Sequence, residues 1–328
     1  KAEVKDRLSN IVKKYGDARR TELTHIEFKP EEKEIAEVIP EDVVVVATQS
    51  GLIKKVPTAS FKVQKKGGKG VKSDDDVILD VIKTNTVDTI MFFTNKGKMY
   101  RTVADNIPNG TNTTKGVMIS SLVKLDNDEK VMAISSLHRK STPQYIIFVT
   151  KNGMIKKSYL EEYTKTNRNT GIAALNVKDG DEVVDIIFQD EEDMVLVTKN
   201  GMSIKFATKD VAPIGRVAMG VKGIKLAEGD EVIAALPIHK VTDQIAIFTD
   251  GGLGKKVDIN ELPMQARGGK GTIIYKPTEQ TGNVVGSAMV SDEDLILLSG
   301  NKTSICFSAK DIPSLGKTGV GNIMIKNN

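Results

Sequence analysis

The sequence predicts an all-β array of six repeats, each the size of a propeller blade, preceded by a short helix. Three observations carry this. One turn phrase appears six times, a second glycine keeps phase with it, and no amphipathic helical period survives past residue 16.

Residues 1–16 read as a helix, with Val4, Leu8, Ile11, Val12 and Tyr15 at helical spacing and Gly16 as the stop. A polar connector at 17–22 and an acidic run at 29–34 read as exposed linker. Residues 1–40 are therefore expected to be helix and linker, and 41–328 a single repeat domain, its repeats too alike and its connectors too short to separate.

From residue 43 the texture changes. The β-branched run 43–48 meets Gln49-Ser50-Gly51 and resumes as Leu52-Ile53-Lys54-Lys55, two strand-like runs about a glycine turn. The phrase returns around Gly97, Gly153, Gly201 and Gly252, and more weakly around Lys302, at intervals of 46, 56, 48, 51 and 50 residues. A second glycine follows each turn by 18 or 19 residues (Gly70, Gly116, Gly171, Gly220, Gly271 and Gly321), and Val71, Val117 and Val221 after it share a strand start. Acidic turns such as Asp179-Gly180-Asp181 and Glu228-Gly229-Asp230 then open an apolar strand. Each unit thus reads as roughly four short strands that need neighbours to cover their apolar faces.

Composition narrows the function. Of 328 residues 39% are hydrophobic, enough for a core, but aromatics are only 5% and Trp is absent, which argues against aromatic cages and sugar-stacking platforms. With 47 basic and 43 acidic residues, affinity for nucleic acid must come from where the cations sit. The one cysteine, Cys306, excludes an intrachain disulfide and fits a reducing, cytoplasmic compartment. His25, His138 and His239 are scattered without metal-ligand spacing, and no apolar run approaches the roughly 20 residues that span a bilayer.

The second strand of each hairpin ends in cations: Lys54 and Lys55, Arg101, Lys156 and Lys157, Lys205, and Lys255 and Lys256; the sixth repeat lacks them. If the repeats superpose by rotation, these residues form a basic belt along one rim. Lysine also blunts sheet edges, but recurrence at one phase in five of six repeats favours the belt. The heptad Gln64-Lys65-Lys66-Gly67-Gly68-Lys69-Gly70 packs three cations and three glycines together, and Gln265-Ala266-Arg267-Gly268-Gly269-Lys270-Gly271 is a near-copy in the equivalent loop of the fifth repeat. Glycine permits close backbone approach, and Lys and Arg supply charge and donors, a combination suited to phosphates. One copy alone could be a solvated basic turn. The equivalent loops elsewhere carry Lys115, Arg168 and Arg216.

A basic belt punctuated by glycine loops suits a curved polyanion, read largely without sequence specificity. Few aromatics are available to stack on unpaired bases, so duplex is favoured. Neither heptad is a Walker A loop, because Lys69 and Lys270 are each followed by glycine. No nucleophile–base arrangement can be argued. A protein-docking propeller would instead carry apolar loop tips, and a propeller hydrolase would need convergent carboxylates or a metal site.

The heptad at 64–70 resembles the "GyrA box", the hallmark of the C-terminal domain of the DNA gyrase A subunit. The second repeat from Asn85 to Arg101, the fourth-repeat segment 214–224, and the opening Lys14-Tyr15-Gly16-Asp17-Ala18-Arg19-Arg20-Thr21-Glu22 are similar to the same family, the last to its seam with the breakage-reunion core. The resemblance covers essentially the whole chain. It implies a six-bladed β-pinwheel, a propeller relative whose blades exchange strands. It also implies that duplex DNA wraps around the rim and presents a chiral crossing for ATP-dependent negative supercoiling. The implied partners are duplex DNA, the N-terminal core of the same polypeptide (dimeric in the holoenzyme), and the gyrase B subunit, which uses ATP and Mg; the isolated domain would be monomeric. No cofactor and no catalytic residue are implied for this chain, since the family's catalytic tyrosine belongs to the core. Two features depart from the pattern. Lys65 and Lys66 replace the usual arginines, keeping charge but not bidentate contacts, and no acidic tail follows Asn328. The related domain of the topoisomerase IV A subunit, which guides DNA for decatenation or relaxation, is the alternative; its box is usually degraded, so an intact first box favours gyrase.

Overall fold

The apolar spacing of the first sixteen residues does form a helix, α1 (Ala2–Tyr15), with Glu3 in its first turn and Lys13 and Lys14 in its last, each complementing the helix dipole. Its stripe of Val4, Leu8, Ile11, Val12 and Tyr15 is more than half exposed at every position. The computed structural model describes residues 1–18, 39–58, 71–72, 76, 78–111, 114–138, 143–165, 171–190, 192–239, 244–300 and 303–325. The chain divides into two units, Lys1–Glu37 and Val38–Asn328. Most of the expected linker, residues 19–38, and the whole heptad at 64–70 lie outside the described residues.

The second unit is built from hairpins. The first repeat supplies β1 (Asp42–Thr48), β2 (Leu52–Pro57), β3 (Val71–Lys72) and β4 (Ile78–Asn85). The second supplies β5 (Thr89–Thr94), β6 (Lys98–Val103), β7 (Val117–Met118) and β8 (Val131–Leu137). The third supplies β9 (Tyr145–Thr150), β10 (Met154–Tyr159), a one-turn helix α2 (Glu161–Thr164), β11 (Ile172–Ala173) and β12 (Val183–Gln189). The fourth supplies β13 (Asp193–Thr198), β14 (Met202–Ala207), β15 (Val221–Lys222) and β16 (Val232–Ile238). The fifth supplies β17 (Gln244–Thr249), β18 (Leu253–Asp258), β19 (Thr272–Ile273) and β20 (Val284–Val290). The sixth supplies β21 (Leu295–Gly300), β22 (Thr303–Ser308) and β23 (Asn322–Ile323).

The hairpins share one turn chemistry. In the fourth repeat the Gly201 N–H donates to the Thr198 carbonyl at 3.0 Å, and the Thr198 hydroxyl accepts from the Met202 N–H at 3.1 Å. The same glycine-to-threonine bond closes the turns at Gly51, Gly97, Gly153 and Gly252.

The third strand of each repeat leaves home. β7 pairs with β2, β11 with β6, β15 with β10, β19 with β14 and β23 with β18, so each repeat completes the sheet of the one before it. β3 of the first repeat pairs with β22 of the last, setting Val71 opposite Ser304 and Lys72 opposite Thr303. Among the described residues this gives five four-stranded sheets, ordered fourth, first, second, borrowed third, and one three-stranded sheet, β21–β22–β3. The expectation of six equal blades is therefore corrected. Five are complete, while the last repeat sends β23 into the fifth sheet and supplies no fourth strand among the described residues.

Exchange explains both phased glycines. At the fourth–fifth junction, Gly201 has φ +74, and a Cβ there would lie 2.1 Å from the Tyr275 carbonyl oxygen; Gly271 has φ +76, and a Cβ there would lie 2.3 Å from the Ser203 carbonyl oxygen. Any side chain would drive the borrowed strand off its host.

The apolar core lies between neighbouring sheets, as five clusters from the first–second junction to the fifth–sixth. Between the third and fourth sheets, Ile147, Val149 and Ile155 face Met194, Leu196, Ile204 and Phe206, all with no measurable exposure. Each such side chain contributes about 1.5–3 kcal/mol. Gly271→Ala should lower the unfolding free energy by about 1–3 kcal/mol through backbone strain. Gly286→Ala, with no atom within 4 Å of the new Cβ, should change it by less than about 0.5 kcal/mol. Chemical denaturation of the two variants checks the difference.

Candidate nucleic-acid interface

The cations four residues after each turn glycine meet protein, not solvent. Lys55, Lys157 and Lys256 are at most 5% exposed. Lys55 Nζ donates to the Asp105 carbonyl at 2.8 Å and its carboxylate at 3.0 Å. Lys157 Nζ donates to the Thr208 carbonyl at 2.9 Å and stands 4.5 Å above the centre of the Tyr145 ring. Lys205 Nζ reaches the Ile259 carbonyl at 3.3 Å and Arg101 Nη1 the Thr164 carbonyl at 3.2 Å, both side chains half-buried. Each of these four partners sits in the short helical turn that follows the next repeat's hairpin. Lys256 instead pairs with the Asp292 carboxylate at 2.6 Å.

One position earlier, lysine serves the rim loop of the next repeat. Lys54 Nζ donates to the Thr111 and Thr114 carbonyls at 2.9 and 2.7 Å. Lys156 Nζ donates to the Ala174 carbonyl at 2.7 Å, to the Arg216 carbonyl and to the Tyr163 hydroxyl. Lys255 Nζ donates to the Gly316 and Lys317 carbonyls at 3.0 and 2.8 Å, 5.1 Å from the Tyr275 ring centre. The belt of exposed cations expected from Lys55, Lys156, Lys157, Lys255 and Lys256 is thus corrected, because these residues are internal clamps between repeats. A lysine stem packs on apolar surface, and its ammonium tolerates burial when carbonyls surround it. A phosphate could reach these ammoniums only by displacing those carbonyls.

The rim loops keep exposed charge. Lys115 is exposed with no described bond, and Arg216 is half-buried. In the fifth repeat, Gln265 N–H donates to the Lys205 carbonyl at 2.8 Å, Gly268 N–H to the Gly223 carbonyl at 2.6 Å, and Gly269 accepts from Lys225 N–H at 2.8 Å. Arg267 is half-buried and directed by the Asp210 carbonyl at 3.1 Å and the Lys222 carbonyl at 3.2 Å. Lys270 is exposed. Gln64, Lys65, Lys66, Gly67, Gly68, Lys69, Gly70 and Arg168 lie outside the described residues. Two cations that sequence reasoning passed over, Lys222 and Lys225, border the fifth-repeat loop; their distances of two and five residues from Gly220 were the available signal.

Among the described residues no three His, Cys, Asp or Glu side chains lie together in a way that could hold a metal, and no helix is long and apolar enough to cross a membrane. The arrangement is one of backbone-anchored cationic loops, suited to holding phosphates.

The family model for the DNA gyrase C-terminal domain, beta-propeller, matches residues 42–85, 88–138, 144–190, 192–239 and 243–291. The chain belongs to this family. The DNA gyrase A subunit of Lawsonia intracellularis is 35% identical over 337 residues, a match that covers 98% of this chain and 40% of that protein. The chain spans about two fifths of the length of the curated relatives it matches. A solved DNA gyrase A C-terminal domain superposes with a TM-score of 0.78 at 26% identity, over 88% of this chain and 96% of the other. The C-terminal domain of DNA topoisomerase IV gives 0.67 at 28% identity, over 88% and 90%.

Burial pushes the Lys156 and Lys255 ammoniums down to about 8. Between about pH 8 and 9.5 the unfolded chain holds protons there that the folded chain has released, so these lysines add stability as pH rises. The stability gap between the unaltered chain and a Lys156→Met/Lys255→Met variant should widen by on the order of 1 kcal/mol per lysine across that window, read from denaturant midpoints.

Proposed function

We propose that this domain binds and wraps duplex DNA around its rim, largely without sequence specificity, as the C-terminal module of a DNA gyrase A subunit. The observation that carries this is the fifth-repeat loop, whose backbone is held to its neighbour while Lys270 stays exposed, in a chain of the gyrase C-terminal domain family. Phosphate contacts would come from Gln265, Arg267, Gly268, Gly269 and Lys270, from Lys115, Arg168 and Arg216, and from the first heptad, Gln64 through Gly70. The buried lysines would hold the rim in shape.

In this reading residues 41–328 form a six-bladed β-pinwheel, with the three-stranded sheet as the sixth blade, and residues 1–40 link it to the N-terminal core of the same polypeptide. The wrap presents a chiral crossing to that core, and the gyrase B subunit, using ATP and Mg, drives strand passage to negative supercoils on DNA in the cytoplasm. A second reading, the C-terminal domain of a topoisomerase IV A subunit guiding DNA for decatenation, draws support from the 28% identity to that solved domain. The higher TM-score of the gyrase domain favours the first.

Wrapping that neutralises about 6–10 phosphates should lower affinity by a factor of about 10³–10⁵ between about 50 and 200 mM salt; weak, salt-insensitive binding to long duplex would sink it. On relaxed circles, the chain should capture positive writhe once a topoisomerase removes the compensating turns. No captured writhe would favour the topoisomerase IV reading.

A further inference from the structure

We propose that Lys222 and Lys225 of the fourth repeat join Arg267 and Lys270 of the fifth in a second phosphate clasp, separate from the heptad at 64–70. The clasp rests on the wrapping reading and deepens it, because it names residues from two repeats as one site on the rim.

Its two segments are fixed to each other through backbone. The Gly268 N–H donates to the Gly223 carbonyl at 2.6 Å, the Lys225 N–H donates to the Gly269 carbonyl at 2.8 Å, and Arg267 Nη1 donates to the Lys222 carbonyl at 3.2 Å. Four cations are thereby held on adjoining loops at little conformational cost on binding. Lys222, Lys225 and Lys270 are exposed, and none has a described hydrogen bond or ion pair from its ammonium. Asp210 lends Arg267 only its carbonyl, at 3.1 Å, so no described carboxylate neutralises the guanidinium.

The other described junctions differ. Lys54, Lys156 and Lys255 reach outward from the preceding hairpin and spend their ammoniums on the carbonyls of the rim loops. In the sixth-repeat loop, Lys317 Nζ is itself spent on the Glu261 carbonyl at 2.9 Å. At the fourth–fifth junction the equivalent position is Ile204, fully buried, with its Cδ1 3.6 Å from where a Gly269 Cβ would stand. An apolar side chain supports this loop from inside, and its charge is left to face outward. Like charges brought this close raise the local potential and favour a polyanion, here the phosphates of duplex DNA.

The test compares the unaltered chain with Lys222→Ala/Lys225→Ala/Lys270→Ala on long linear duplex. Affinity is measured against salt, alongside the protected length and the melting temperature. A Lys83→Ala/Lys130→Ala/Lys178→Ala variant, equal in charge change and drawn from exposed lysines elsewhere, serves as control. The clasp variant should lose about three units of salt slope, about one for each phosphate contact, and protect a shorter length at unchanged melting temperature. The control should keep the slope of the unaltered chain. Equal slopes in the clasp variant and the unaltered chain, or equal losses in both variants, would overturn the clasp alone. Salt-insensitive binding by the unaltered chain would overturn the wrapping reading and the clasp with it.

Discussion

A two-residue strand lent by each repeat to its predecessor is the constraint on which the repeat domain depends. The borrowed strand is too short to be stable by itself, since a ladder of two residues fixes little apolar surface. It holds because its backbone enters between two glycines of fixed phase and delivers the following apolar residues into the cluster between sheets, as Ile224 does beside Ile155 and Leu196. Every sheet is therefore a joint product of two repeats. The pairing of β3 with β22 extends the same rule from the first repeat to the last. None of the five core clusters lies at that junction, so among the described residues the pairing is the tie there.

Exchange also creates the need that the internal lysines meet. A loop laid over a neighbour's hairpin brings carbonyls into a partly buried seam, and each unpaired carbonyl would cost about 1–3 kcal/mol. Lysine at the third and fourth positions after the turn satisfies several at once, as Lys156 and Lys255 show. Burying an ammonium is itself unfavourable, which is why both titrate low. The seam is stable because carbonyl bonds and aromatic faces offset that penalty. Removing such a lysine would leave the carbonyls orphaned, whereas removing a rim lysine leaves nothing unsatisfied.

The repeat count, the four strands per unit and the turn positions were legible in the sequence, because β-branched runs and phased glycines are local signals. The helix was legible from its apolar spacing. The direction of the lysines was not. A period-2 strand pattern tells which face a residue occupies, but not whether a neighbouring repeat will cover that face. Lys157 and Lys270 read alike as cations near a strand or turn. One lies 1% exposed beneath the turn at Thr208 and the other is in solvent. Exchange decides between them, and exchange joins residues about fifty positions apart. Lys222 and Lys225 were passed over for the same reason, since their nearness to the fifth-repeat loop arises only across a junction.

The central claim is a division of labour among cations: internal lysines build the rim and rim-loop lysines meet DNA. Amine acylation read by mass spectrometry, on the folded chain with and without long duplex, tests it most directly. Lys115, Lys222, Lys225 and Lys270 should react in the free chain and be protected by DNA. Lys55, Lys156, Lys157, Lys255 and Lys256 should stay unreactive in both states and react only on unfolding. Ready acylation of Lys156 or Lys255 in the free folded chain, with protection by duplex, would contradict the account.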